Sequence, residues 1–273
     1  MEQNQKKRLA VVGCGKLGNI IADACNMGLL PDYELVGVLG RDRGHAEAMA
    51  EKAGCRACGT LEELLALKPD YVAEMASVQM VKAMAEKVLS CGANLVVLSI
   101  GAFADEEFYS RIRQTAKEHG TKVHIASGAI GGFDVLRTVT LMGQVEQAAG
   151  KAGVTTVMET HKGPESLQNT PVFDEKLLAD REETEVFVGN TKKAISLLPT
   201  KVNVSVAASI ATAGTEQTEY HIYSVPGMKG DDHKITAESD GITAVVDIYS
   251  RTSHIAGWSV VALLQNLASP IMF

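Results

Sequence analysis

Six residues near the start, Gly13-Cys14-Gly15-Lys16-Leu17-Gly18, constrain this chain more than any others. They form a GxGxxG between an apolar run, RLAVV, and a stretch patterned as a helix from Lys16 to Leu29. In such a strand–turn–helix the first glycine permits the tight turn, the second lets backbone approach a pyrophosphate, and the third lets helix pack on strand. The pyrophosphate then rests on the helix N-terminus, where unpaired N–H groups and the helix dipole favour an anion. Gly13, Gly15, Lys16, Leu17 and Gly18 are therefore the candidate phosphate-binding residues of a dinucleotide site. The competing reading is a turn with a purely structural role; the complete strand–helix–strand unit that follows favours the ligand.

The alternation begun there continues. ELVGVLG, a short strand near Cys55, DYVAEMA, ANLVVLSIG and TKVHIASG read as strands, separated by HAEAMAEKA, TLEELLAL, VQMVKAMAEKVLSCG and DEEFYSRIRQTAKEHG as helices. Continuous apolar strands alternating with helices predict an α/β fold with a Rossmann-type, doubly wound parallel sheet. After about Ser127 the texture changes. A helix is expected over Phe133–Met142, and GVTTVMETH, TEYHIYSV, HKITAESD and ITAVVDIYS alternate as an antiparallel sheet with one solvated face does. HKGPESLQNTPVF reads as a loop, and HIAGWSVVALLQNLA as an apolar closing helix. The expected plan is a dinucleotide-binding domain over 1–127, rejoined by the helix of 254–273. A second, mixed α/β (α+β) domain over 128–253 would carry substrate and the contacts between subunits. At ~100–200 residues per domain, 273 residues suffice for both and for a core that needs no disulfide or structural metal.

Twenty-six basic residues against 33 acidic ones give a formal charge of −7, which argues against binding a nucleic-acid backbone but not against one small anion in a pocket. No segment approaches the ~20 apolar residues of a membrane span, and glycines with Lys16 interrupt the apolar run that a signal peptide would need. All five cysteines lie in the first third of the chain. Cys55-Arg56-Ala57-Cys58 has CxxC spacing, but no second ligand pair follows, so reduced thiols on a short strand are expected in place of zinc. These features predict a cytoplasmic, soluble protein without a metal.

The end of the second strand normally distinguishes the nucleotides, since an acid there grips the ribose 2′-hydroxyl of NAD and small or basic residues admit the 2′-phosphate of NADP. Here the strand runs into Gly40-Arg41-Asp42-Arg43. Arg41 and Asp42 are the candidate ribose-side contacts. NAD or NADP is the expected cofactor, and the displaced acid between two arginines leans towards NADP. A solvated cluster of loop charges is the competing reading.

Ser127-Gly128-Ala129-Ile130-Gly131-Gly132 follows the last parallel strand, at the edge where ligands bind in such sheets; an interdomain hinge fits it equally. Asn203 opens an apolar helical stretch and would by itself be taken for an N-cap. Of seven histidines, His45 and His119 fall on solvated helix surfaces, His124 within a parallel strand, His221 within TEYHIYSV and His254 at the start of the closing helix. His161 borders the long loop and competes with His233, which starts a strand beside Asp231 and Asp232 and suits a carboxylate-tuned base.

With VVGCGKLG, EKVLSCGANLVVLSIGAFAD, HIASGAIGGFD, LLPTKVNVSVAASIA and the late strands from His233, the chain resembles the L-aspartate dehydrogenase family over nearly its whole length. The resemblance implies oxidative deamination of L-aspartate with NAD or NADP to iminoaspartate, which yields oxaloacetate and ammonia or feeds quinolinate and NAD synthesis. It implies nicotinamide contacts at Ala129 and Asn203, catalysis by His233, and a homodimer. His233 would accept the amine proton or activate the water that hydrolyses the imine, near the ordinary histidine pKa of ~6.5. Lys162, Lys201 and Arg251 are candidate partners for the two carboxylates. The chain departs from the family at Lys201, near a usual asparagine, and at Gly40, where an acid is usual. A related homoserine dehydrogenase or dihydrodipicolinate reductase is one alternative. A catalytically silent sensor of NAD(P) is another, and His233 together with Asn203 favours an enzyme.

Overall fold

The computed structural model describes residues 5–198 and 202–272. The chain divides into two compact units, one running up to Gly128 and resuming at His254, the other Ala129–Ser253. Lys201 lies outside the described residues.

The first unit is built on six strands: β1 (Lys7–Val12), β2 (Tyr33–Leu39), β3 (Arg56–Cys58), β4 (Tyr71–Glu74), β5 (Asn94–Val97) and β6 (Val123–Ile125). Their order is β3-β2-β1-β4-β5-β6, every pair parallel, which is the doubly wound arrangement. Leu9, Ala10 and Val11 on β1, and Leu95, Val96 and Val97 on β5, are fully buried, so neither strand shows a solvated face. The closing helix, His254–Ala268, belongs to this unit and lies close against the helix Gly18–Asn26. Gly257 makes that approach possible, since a Cβ there would stand 2.4 Å from Cδ1 of Ile20. Tyr33 donates a buried hydrogen bond of 2.8 Å to the Leu264 carbonyl, and Gln265 donates one to the Leu29 carbonyl, pinning the last turns of the helix.

The second unit holds β7 (Thr155–Lys162), β8 (Thr184–Asn190), β9 (Thr218–Ser224), β10 (Asp231–Ser239) and β11 (Ile242–Ser250), ordered β11-β10-β7-β9-β8. One expectation is corrected here. The sheet is mixed, because β7 and β9 run parallel while the other pairs are antiparallel. The strand β8, unread in the sequence, turns back along β9 as an edge, which leaves β9 to lie parallel to β7. Burial alternates along β7, β9 and β10. Met158, Thr160, Tyr220, Ile222, His233 and Ile235 face inward, whereas Glu159, His161, His221, Tyr223 and Lys234 face outward. The helix after the glycine-rich segment runs Phe133–Ala148, longer than the pattern implied, and packs against β10 and β11; Asn203–Ala211 packs against β7. The expected loop after β7 contains a short helix, Pro164–Leu167. Among the described residues no helix is long and apolar enough to cross a membrane.

Candidate active site

At the carboxyl edge of the first sheet, the turn after β1 lies directly against the chain leaving β4. A Cβ on Gly13, whose φ is +112°, would come within 2.6 Å of the Met75 carbonyl, and one on Gly18 within 1.8 Å of the Gly13 oxygen. These two positions cannot carry a side chain. Gly15 differs, since a Cβ there would meet nothing within 4 Å among the described residues, so the backbone of the turn is open to them on that side. The helix it opens, Gly18–Asn26, has no side-chain cap and no acid in its first turn. The helices starting at Arg43, Leu61, Val78 and Glu106 are each capped by a side-chain oxygen, from Asp42, Thr60, Ser77 and Asp105. An open glycine turn with an uncapped helix start fits the pyrophosphate of a dinucleotide. Lys16 is exposed beside it and Leu17 is half-buried.

A residue that sequence reasoning passed over holds this edge together. Glu74 ends β4 fully buried, and its carboxylate accepts hydrogen bonds from the amides of Ala76 and Ser77 (2.7 and 2.8 Å). It also accepts from the Ser99 amide and hydroxyl beyond β5, at 3.0 Å each. Burial pushes the carboxyl above its usual range, against the pull of those donors. One side chain thus ties the loops after β4 and β5 together, and the first of those loops is the floor under Gly13. The signal was an acid inside an otherwise apolar strand, DYVAEMA.

Beyond β2, Asp42 caps the helix Arg43–Ala53 by accepting from the His45 amide at 2.8 Å, a bond that holds its carboxyl below the usual range. Arg43 is paired with Glu47 at 2.7 Å. Arg41 is exposed and makes no ion pair among the described residues. A Cβ on Gly40 would lie 3.0 Å from Cys14 Sγ, so Cys14 occupies the flank of that position. Burial pushes the Cys14 thiol up to about 11 and Cys55 likewise, which keeps both protonated and unreactive. Cys55 precedes the edge strand β3 and Cys58 ends it, both as free thiols.

In the second unit, His233 is 5% exposed on the inner face of β10. Its Nδ1 lies 3.0 Å from Thr160 Oγ1 on β7, directly across the ladder, and Tyr220 on β9 donates to that same oxygen at 3.2 Å. Burial first, and the nearby Lys162 cation second, push His233 down to about 4. The expectation of a base near 6.5 is thereby corrected, because the upward pull of Asp231 is smaller than the effects of burial and Lys162. Asp232 points to the opposite face, and Asp231 spends its charge on Lys162 at 3.5 Å. Lys162 itself is largely buried, with 13% of its side chain exposed.

The other candidates separate. His161 faces outward, stacked on Tyr223 with ring centroids 4.6 Å apart, and so lies on the face opposite His233. Arg251 donates to the hydroxyl of Tyr249, whose strand neighbour Ile248 is the residue paired with His233. His221 sits between Glu185 and Glu219, and His124 beside Tyr71. Asn203 is half-buried at the first position of its helix; Val202 is the cap residue, so the N-cap reading of Asn203 does not hold. Ala129 is half-buried in a turn at the first residue of the second unit.

Residues 144–267 match the family model for the aspartate dehydrogenase C-terminal domain, and residues 13–126 match that for the NAD-binding domain of homoserine dehydrogenase. The L-aspartate dehydrogenase of Methanocaldococcus jannaschii is 30% identical over 271 residues, covering 97% of this chain and 98% of that protein. That of Methanosarcina mazei is 29% identical over 276 residues, with the same coverage. The crystal structure of aspartate dehydrogenase from Thermotoga maritima superposes with a TM-score of 0.76 at 24% identity, over 98% of this chain and all of that one, a likeness of fold.

The neutral His233 gives a stability signature. An unfolded histidine binds its proton near the ordinary value, the folded one only near 4, so between those pH values the unfolded state holds more protons. Stability therefore falls as pH drops through this window, by about 3 kcal/mol from this group alone. Urea unfolding at pH 7 and pH 4.5 is expected to show a smaller difference in His233→Gln than in wild type. Equal differences would mean that the ring is not held neutral.

Proposed function

We propose that this chain, which belongs to the L-aspartate dehydrogenase family, oxidises L-aspartate to iminoaspartate with a nicotinamide dinucleotide, and that water then releases oxaloacetate and ammonia. One observation carries the reading. Within the part that matches the aspartate dehydrogenase C-terminal model, a buried imidazole is held uncharged beside a desolvated lysine. When bound, the nicotinamide accepts the hydride that leaves the substrate's α-carbon. The chain's residues supply the rest. The open turn at Gly15 and the uncapped helix start take the pyrophosphate, and Ala129 and Asn203 take the nicotinamide, as the family resemblance implies. Lys162 holds a substrate carboxylate in exchange for Asp231, and His233 is the catalytic residue at the reacting centre. The five free cysteines support a cytoplasmic setting.

The substrate is tested by following NAD(P)H absorbance with L-aspartate, L-homoserine and related amino acids, and with oxaloacetate plus ammonia in reverse. Aspartate is the expected substrate, and His233→Ala is expected to lower turnover by roughly 10²–10⁴-fold with little change in cofactor affinity. Background rates with aspartate alongside oxidation of another amino acid would overturn the substrate. Full turnover by His233→Ala would remove the histidine from the reaction.

NADP is used at least as well as NAD. An acid at the end of β2 would repel a 2′-phosphate, and Gly40 puts none there. Asp42 is committed to its helix cap, and Arg41 is left as a donor for the phosphate. The expected result is kcat/KM for NADP equal to or above that for NAD, with Arg41→Ala lowering the NADP value alone. A strong NAD preference unchanged by Arg41→Ala would mean that an acid holds the ribose after all.

The chain acts as a homodimer. The outward face of the second sheet supports this, for it presents Val188, Val245 and Tyr249, each about half exposed, and leaves His161 Nδ1 and Asp232 Oδ1 buried without partners among the described residues. Sedimentation is expected at twice the chain mass, and a monomer at micromolar concentration would contradict it.

A further inference from the structure

Three buried polar side chains on the inner face of β7, β9 and β10 can satisfy one another in only one way. Thr160 Oγ1 lies 3.0 Å from His233 Nδ1 and 3.2 Å from the Tyr220 hydroxyl. Thr160 is fully buried and Tyr220 is 3% exposed, and among the described residues neither hydroxyl has another hydrogen-bond partner. Two hydroxyl hydrogens and one ring hydrogen must be placed on these groups. If Nδ1 carried the ring hydrogen and donated it to Thr160, one of the two hydroxyl hydrogens would have no acceptor. Thr160 would donate to Tyr220 and strand the phenol hydrogen, or Tyr220 would donate to Thr160 and strand the threonine's.

A buried donor without an acceptor bears its full desolvation penalty. Nor can the phenol escape by ionising, since burial pushes Tyr220 up to about 12. The remaining arrangement strands neither hydroxyl hydrogen and leaves the third hydrogen on a ring nitrogen that is not among the fully buried, unpaired atoms of the described residues. Tyr220 donates to Thr160, Thr160 donates to Nδ1, and the ring hydrogen sits on Nε2, which makes no hydrogen bond among the described residues.

We propose that Thr160 and Tyr220 are positioning residues that fix His233 as its Nε2–H tautomer, so that the ring meets the substrate as a neutral hydrogen-bond donor and not as a base. The inference rests on His233 being the catalytic residue. An Nε2–H matches an oxygen: a substrate carboxylate, or the oxygen on the carbon that exchanges nitrogen for water. A neutral imidazole can stabilise charge developing on such an oxygen without first acquiring a proton. The ring then does not take the ammonium proton, which leaves the substrate to solvent before hydride transfer. The rate with aspartate follows the substrate's own ammonium ionisation as pH rises, with no inflection at the ordinary histidine value.

The test is 15N NMR of the full-length protein labelled at histidine, at pH 8, with the His233 signals identified by their loss in His233→Gln. Nδ1 is expected at the position of an unprotonated ring nitrogen and Nε2 at that of a protonated one; the reverse pattern overturns the proposal. Thr160→Val is expected to mix the two tautomers and lower kcat roughly tenfold, the worth of one such hydrogen bond, leaving cofactor KM unchanged. Thr160→Ser is expected to restore both, and a Thr160→Val ring that keeps the wild-type tautomer also overturns it. The wild-type spectrum needs neither a variant that folds nor turnover. A wrong substrate would show in the absorbance assay and leave the tautomer result standing.

Discussion

Where the first turn presses on the chain leaving β4, backbone meets backbone with no room for a side chain between them. Gly13 against Met75 and Gly18 against Gly13 are contacts that no other residue type survives. The position of the phosphate-binding turn is therefore inherited from the loop beneath it, and that loop is held by the carboxylate of Glu74. Because Glu74 also binds Ser99 beyond β5, the edge of the sheet from β1 to β5 behaves as one hydrogen-bonded piece. Burying a carboxylate is unfavourable unless donors surround it, and here three amides and a hydroxyl do. The openness of Gly15 has meaning only against that fixed background.

The second unit solves a different problem, which is to keep an imidazole uncharged at neutral pH. Burial and Lys162 do this together, while Asp231, paired with Lys162, pulls the ring weakly the other way. The same burial removes water as a hydrogen-bond partner, so the ring's orientation falls to Thr160 and Tyr220. Charge state and tautomer thus have one cause. The outward face of the same sheet carries a second group of titratable residues, His161, His221 and their glutamates, which strand alternation separates from His233.

The parallel sheet was legible because its strands are apolar on both faces and alternate with helices along the chain. In the second unit alternation disclosed strands but not their partners, since a half-buried strand looks the same beside a parallel or an antiparallel neighbour. TEVFVGN escaped notice because an edge strand buries only one residue outright, Phe187, and follows a run of charges. Asp232 misled the reading of His233, because neighbours in sequence point to opposite faces of a strand. Thr160 and Tyr220 lie 73 and 13 residues from His233, and hydroxyls are ordinary in strands, so nothing local announces them. The glycine turn was legible because all of its chemistry is contiguous.

Oxidation of aspartate by a nicotinamide dinucleotide turns on a single event, transfer of hydride from the α-carbon. L-Aspartate deuterated at that carbon tests it directly. The deuterium is expected in the reduced nicotinamide, with slower turnover when that step limits the rate. Deuterium released to water, or a reduced cofactor that carries none, would contradict the account.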